Sequence, residues 1–201
     1  ACEFRLIHAV KKIIHSIASI TVISYANTQK TVIFIDFIVY FCYIFTEVRY
    51  MKILVLSDSH NMLADAEKAI EKHGCEYIIF LGDVAEDAEM LRRFYPRKAI
   101  AAVKGNNDYF SDFPEKITPV YEGHKVYCCH GHTHRVKSGL TSLYYAAKSE
   151  NCDVALFGHT HLQFAEEHDG ILFLNPGSVG FKCNYAIITL EKNKKPEYLL
   201  F

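Results

Sequence analysis

No run of basic residues occurs in this chain of 201 residues, and its formal net charge is −1. A nucleic-acid binder needs a positive stripe to engage phosphates, so that class is set aside and no nucleic-acid groove is expected. There is also no CxxC, and the seven cysteines are irregularly spaced and odd in number. That excludes a disulfide framework and a zinc knuckle, and it points to a reducing cytosol with the thiols as small core residues. A bilayer-spanning apolar run is missing too. The densest candidate, TVIFIDFIVYFCYIF at 31–45, reaches about 22 Å as a helix, against a hydrocarbon core of ~30 Å. Its Asp36 would cost about 2.5–3.5 kcal/mol at mid-span.

The first fifty residues lack something further: every glycine and proline of the chain follows them. They carry five Lys+Arg against three Asp+Glu, a balance of +2, which leaves −3 for the rest. Neither an initiating Met nor a small-residue cleavage site marks a signal peptide. Leu6, Val10, Ile13, Ile17 and Ile20 fall at helical spacing with Lys11 and Lys12 off that face, so a surface helix is one reading. Membrane association follows only if this segment is genuine. A structured part of the fold is another reading. The favoured one makes 1–50 an apolar extension upstream of a true start at Met51, with 51–201 as the folded domain.

What is present from Met51 on is a rhythm of strand, loop and helix. Continuous apolar runs at 52–56, 77–81, 99–103 and 154–157 suggest strands buried on both faces. A helix with Leu63, Ala66 and Ile70 on one face is expected between a cap at Asn61 and a stop at Gly74. A second is expected over 86–94, with Ala88, Leu91 and Phe94 inward and Pro96 as the stop, and a third over 139–149. Segments 117–121 and 125–129 flank a turn at 122–124, and 162–166 and 171–174 flank one at 168–170. Segments 185–190 and 197–201 close the chain around a solvated lysine turn at 192–195. With no repeat and no linker, this predicts one α/β domain with mixed strands. Phe157, Phe164 and Phe173 are assigned to the core, as are Cys128 and Cys129.

Five strand ends each deliver chemistry. Asp58 and His60 follow VLS, Asp83 follows FLG, and Asn106, Asn107 and Asp108 follow AVKG. VYCC leads into His130, and ALFG into His159 and His161. In open α/β sheets, ligands bind outside the carboxyl ends of the strands. Carboxylate, carboxamide and imidazole together suit Mn, Fe, Co, Ni or Zn, and no thiolate is offered. On an extended chain, residues i and i+2 share a side, so Asp58/His60 and His159/His161 could each straddle two ions ~3.5–4 Å apart. Asp83, alone at its strand end, is the candidate bridge.

D-x-H, G-D, G-N-x-D, H-G-H and G-H-T-H in this order resemble the calcineurin-like metallophosphoesterases, and 51–201 is similar to their small YfcE-type phosphodiesterase branch. That resemblance implies two stacked mixed sheets flanked by helices. It implies one metal on Asp58, His60, Asp83 and His161, and a second on Asp83, Asn106, His130 and His159. It implies two divalent ions, manganese foremost, with nickel, cobalt, iron or zinc acceptable to the same donors. The implied reaction is hydrolysis of a small phosphate ester by a metal-bridging hydroxide in a cytoplasmic enzyme, with a homo-oligomer plausible. The two ions, two carboxylates and hydroxide leave about +1 to attract the ester.

Asn107 departs from the His or Cys common at its position. A carboxamide can hydrogen-bond a leaving oxygen but cannot protonate it, which leaves His132 as substitute acid. Asp108 is expected to orient His60 or a ligated water, and Ser178 either to meet substrate or to belong to an ordinary turn. GHTH occurs twice. The copy at 158–161 supplies two ligands, and the copy at 131–134 is a near-coincidence whose His134 is expected to be solvated. The rival functions are a scaffold on the same fold, as in a related eukaryotic trafficking subunit, and a phosphomonoesterase.

Overall fold

The computed structural model describes residues 50–201, so the readings made for the preceding segment lie outside the described residues. Two mixed sheets stack face to face, with helices on their outer sides. The first holds β1 (Tyr50–Leu56), β2 (Tyr77–Phe80), β3 (Ala99–Ala102), β10 (Ala186–Glu191) and β11 (Glu197–Leu200) in the order β11-β10-β1-β2-β3. The second holds β4 (Lys116–Ile117), β6 (His124–Cys129), β7 (Val154–Leu156), β9 (Ile171–Pro176) and β8 (Gln163–His168) in the order β4-β6-β7-β9-β8, with β5 (Val120–Tyr121) also on β6. β1, β2 and β3 run parallel, as do β6, β7 and β9. Helices α1 (Ala64–His73), α2 (Ala85–Phe94), α3 (Thr141–Ser149) and the short α4 (Val179–Lys182) complete the domain.

Strand alternation explains the layers. Leu54 and Leu56 of β1 face α1 and α2, where they join Ala66, Ile70, Ala88 and Leu91. Ile53 and Val55 face the other sheet and meet Val126, Val154, Leu156 and Leu174. Each fully buried side chain of this size contributes about 1.5–3 kcal/mol, and β1 is apolar from Ile53 to Leu56, where both of its faces are covered. Cys128 lies between the sheets, and Cys129 packs under α3 with Leu143, Ala147, Phe157 and Phe173. Both cysteines are core residues, as are Phe157 and Phe173, and Phe164 packs against the same cluster.

Several local expectations change. Helix α1 starts at Ala64, and Asn61 does not cap it; Gly74 does close it, at φ 61°. Phe94 is half exposed, because α2 ends there and Tyr95 takes the core position instead. The 117–121 strand is split at Pro119, which has no N–H to give and whose carbonyl accepts from Val126. Its turn tightens to Glu122 and Gly123, both at positive φ as a two-residue hairpin requires. The turn between β8 and β9 is likewise only Asp169–Gly170. Helix α4 was not expected at all. Among the described residues, no helix is long and apolar enough to cross a membrane.

Candidate metal centre

The expected carboxylate and imidazole donors gather at the carboxyl ends of β1, β2, β6 and β7. Asp58, His60, Asp83 and His161 bring one donor atom each to within 4.8 Å of one another, and so do Asp83, His130 and His159. Asp83 is common to both groups. Asn106, past the end of β3, has its carboxamide oxygen buried without a partner and donates to Asn107, which in turn holds Asp83.

The backbone reaches this arrangement in an unexpected way. Asp58, His60, Asp83, His159 and His161 all have φ between 47° and 67°, in the left-handed region. That region costs an L-residue roughly 1–2 kcal/mol, and such strain persists only where surrounding contacts over-determine it. The extended geometry expected for Asp58/His60 and His159/His161 is therefore overturned. Asp58 and His60 serve one group, while His159 and His161 divide between the two.

The contacts that hold these loops are specific. Ser57 donates to Asp58 Oδ2 at 2.6 Å, and the His159 amide donates to the same oxygen at 3.1 Å. Ser59 and the Asn61 amide both donate to the buried Asp87 carboxylate of α2, at 2.6 and 2.9 Å. Asn175 donates to the Gly158 carbonyl at 2.8 Å and to Thr160 at 3.1 Å, which pins the His159–His161 loop. Gly158 packs so tightly that an added Cβ would lie 2.0 Å from Ser57 Oγ.

Four residues make contacts beyond those expected. Asp108 touches no imidazole; its oxygens accept from the amides of Asp83, Val84, Ala85 and Gly105, so it clamps the β2 and β3 loops together. Asn107 grips Asp83, its amide 3.1 Å from Oδ1 and its side-chain nitrogen 3.0 Å from Oδ2. Ser178 is fully buried, caps α4 by accepting from Phe181, and donates to the Asp58 carbonyl at 2.8 Å. His134 is not free in solvent, because its Nε2 pairs with Tyr127 Oη at 3.0 Å. His132 stands at the edge, with Nε2 3.6 Å from Glu115 and Nδ1 buried without a partner.

The electrostatics favour cations. Burial pushes the Asp58 pKa up to about 6, against the Ser57 hydrogen bond and with help from Asp83 nearby. Burial likewise brings His130 down to about 4 and lowers His159 and His161, to which Lys137 adds repulsion. His130 Nδ1 lies 2.7 Å from the Leu81 carbonyl, which fixes its proton there and turns Nε2 toward Asp83, 3.6 Å away. Asp58 Oδ1 is buried without a hydrogen-bond donor although His161 Nε2 is 3.1 Å off. Imidazoles, two carboxylates and orphaned oxygens fit divalent ions.

The family model of the calcineurin-like phosphoesterase superfamily domain matches residues 51–193. Probable metallophosphoesterase YsnB of Bacillus subtilis is 32% identical over 148 residues, covering 71% of this chain and 86% of its own. Phosphodiesterase MJ0936 of Methanocaldococcus jannaschii is 32% identical over 167 residues, covering 74% and 96%. Among solved structures, a predicted phosphoesterase of Streptococcus pneumoniae superposes with a TM-score of 0.62 at 24% identity, over 76% of this chain and 99% of its own. Vacuolar Protein Sorting 29 of Cryptosporidium parvum shares the fold, with a TM-score of 0.58 at 21% identity over 76% and 97%. With that model spanning most of the chain and relatives at 32% identity, the chain belongs to the calcineurin-like phosphoesterase superfamily.

Proposed function

We propose that the chain hydrolyses a small phosphodiester with two divalent cations, manganese foremost. The observation that carries this is the pair of overlapping donor groups sharing Asp83. Asp58, His60, Asp83 and His161 would hold one ion. Asp83, Asn106, His130 and His159 would hold the other. When bound, such a pair supplies Lewis acidity toward phosphoryl oxygens and a nucleophile at neutral pH.

The chain's own residues then do the rest. Asn107 fixes the plane of the shared carboxylate through both of its oxygens. Asp108 and Asp87 keep the three ligand loops in register. His132, within reach of Glu115 and at the rim of the site, is the group available to give a proton to the departing alkoxide, a task Asn107 cannot perform. Full retention of the ligand set favours catalysis over a scaffold role.

The test is hydrolysis of bis-p-nitrophenyl phosphate by the full chain, stripped of metal and resupplied with Mn²⁺. Activity that returns with metal and is lost in Asp83→Asn is the expected outcome. A folded protein that binds two ions yet cleaves neither diesters nor monoesters would favour the scaffold. Faster cleavage of monoesters would make it a phosphomonoesterase.

A further inference from the structure

Beside the His60/His161 half of the site lies an aromatic ring that the ligand set does not explain. Phe181 is the third residue of α4, and 61% of it is exposed. Its ring stacks on His161 at a centroid distance of 5.8 Å and an interplanar angle of 22°. It also lies 4.8 Å from the ring of His60, tilted by 37°.

Three contacts set it there. The Val179 amide donates to the Ser57 carbonyl at 3.0 Å, and Ser178 Oγ donates to the Asp58 carbonyl at 2.8 Å while accepting from the Phe181 amide. Gly180 sits so close to the β1 loop that an added Cβ would lie 2.0 Å from the Ser59 carbonyl oxygen. α4 is thus docked on the loop that carries Asp58 and His60, and Phe181 is held beside two donor imidazoles with most of its surface open. Met62 adds apolar surface beside α4: its Cε is the next neighbour of Gly180, and the side chain is partly exposed. The His130/His159 half differs: Asn106, Asn107, His132 and Glu115 are polar.

We infer that Phe181 is a substrate-contacting wall that selects phosphate esters carrying a planar aromatic or heteroaromatic group, which packs on its open side while the phosphate lies at the metal pair. The inference rests on the phosphodiesterase reading above. An aromatic ring pair adds geometry-dependent attraction to the area it removes from water, so one face of one ester group gains affinity where an alkyl group does not.

Calorimetric titration of the manganese-loaded full chain with phenylphosphonate and methylphosphonate tests this without requiring turnover. The wild type is expected to bind the phenyl compound about tenfold tighter, which is ~1.4 kcal/mol. Phe181→Ala should bring that preference below about twofold with methylphosphonate affinity unchanged, and Phe181→Tyr should restore it. A preference that survives Phe181→Ala overturns the assignment. So does an equal loss for both compounds, since Phe181 would then only brace the two imidazoles. A wild type that binds both equally removes the aromatic contact and leaves the phosphoesterase reading standing. A wild type that binds neither removes both.

Discussion

The tetrapeptide GHTH is built twice into this molecule and put to two uses. In the copy at 158–161, Gly158 is pressed against Ser57 and Asp58, Asn175 pins the carbonyl of Gly158 and the hydroxyl of Thr160, and His159 and His161 are thrown into left-handed conformations. Both imidazoles reach donor groups with buried carboxylates. In the copy at 131–134, Gly131 is free to adopt φ 105°, and the next three residues coil into a 3-10 turn. That turn leaves His132 at the rim and carries His134 away to Tyr127 and Ser142. The residues are identical; what differs is the strand before them and the partners waiting around them. A metal motif is thus a property of the receiving scaffold as much as of the four letters.

The largest effects should come from the histidines themselves. His159→Ala or His161→Ala is expected to lower metal-dependent hydrolysis by at least about a hundredfold, since even loss of a ligand's outer hydrogen-bond partner costs ten- to a hundredfold. His134→Ala should change kcat by less than about twofold, because its ring is engaged with Tyr127 and Ser142 rather than with a donor group. Equal damage from both copies, measured with manganese in excess, would erase the contrast. An intermediate effect is expected from the partners. Asn175→Ala removes two hydrogen bonds to the Gly158 loop and one from the Gly177 amide and should weaken manganese binding by about tenfold or more. Tyr127→Phe, its counterpart in the first copy, should leave metal affinity unchanged and cost about 0.5–1.5 kcal/mol of stability in urea titration.

Much of this is legible in the sequence. The buried strands announce themselves as unbroken apolar runs, and the polar residues that follow them fall on one edge because parallel strands share a direction. What could not be read is how the loops are held. Asp87, Asn175 and Ser178 are single buried polar residues whose partners lie elsewhere in the chain, and no periodicity marks such positions. The same holds for the left-handed backbone at Asp58 and His159, since neither Asp nor His demands it as Gly would. Helix α4 is four residues long, too short for any hydrophobic period to show, and it forms because Ser178 caps it and the β1 loop receives it. For Asp108 the sequence suggests His60 or a ligated water as its partner, because a carboxylate beside imidazoles invites pairing with them. Four backbone amides offered more.

The smallest expected effect concerns the charge of the first copy. Burial lowers the pKa of His134 below its ordinary 6.5, and the neighbouring Lys116 and His132 lower it further. The folded chain therefore takes up this proton less readily than the unfolded one, and unfolding binds a proton as pH falls below about 6.5. The stability that His134 contributes is fully present above that value and is lost progressively down to its folded pKa. His124 has the opposite sign. Burial pulls its pKa down, but the Glu191 carbonyl and the Asp153 carboxylate outweigh that and raise it, so its contribution is present at low pH and lost as pH rises through the folded value. Urea midpoints of the metal-loaded protein at about pH 7.5 and about pH 5.5 separate the two. His134→Gln should lose less stability on acidification than the wild type, and His124→Gln should lose more. If His134→Gln instead loses as much stability on acidification as the wild type, burial does not depress the His134 pKa as it does those of His159 and His161, and the two copies differ in charge as well as in geometry.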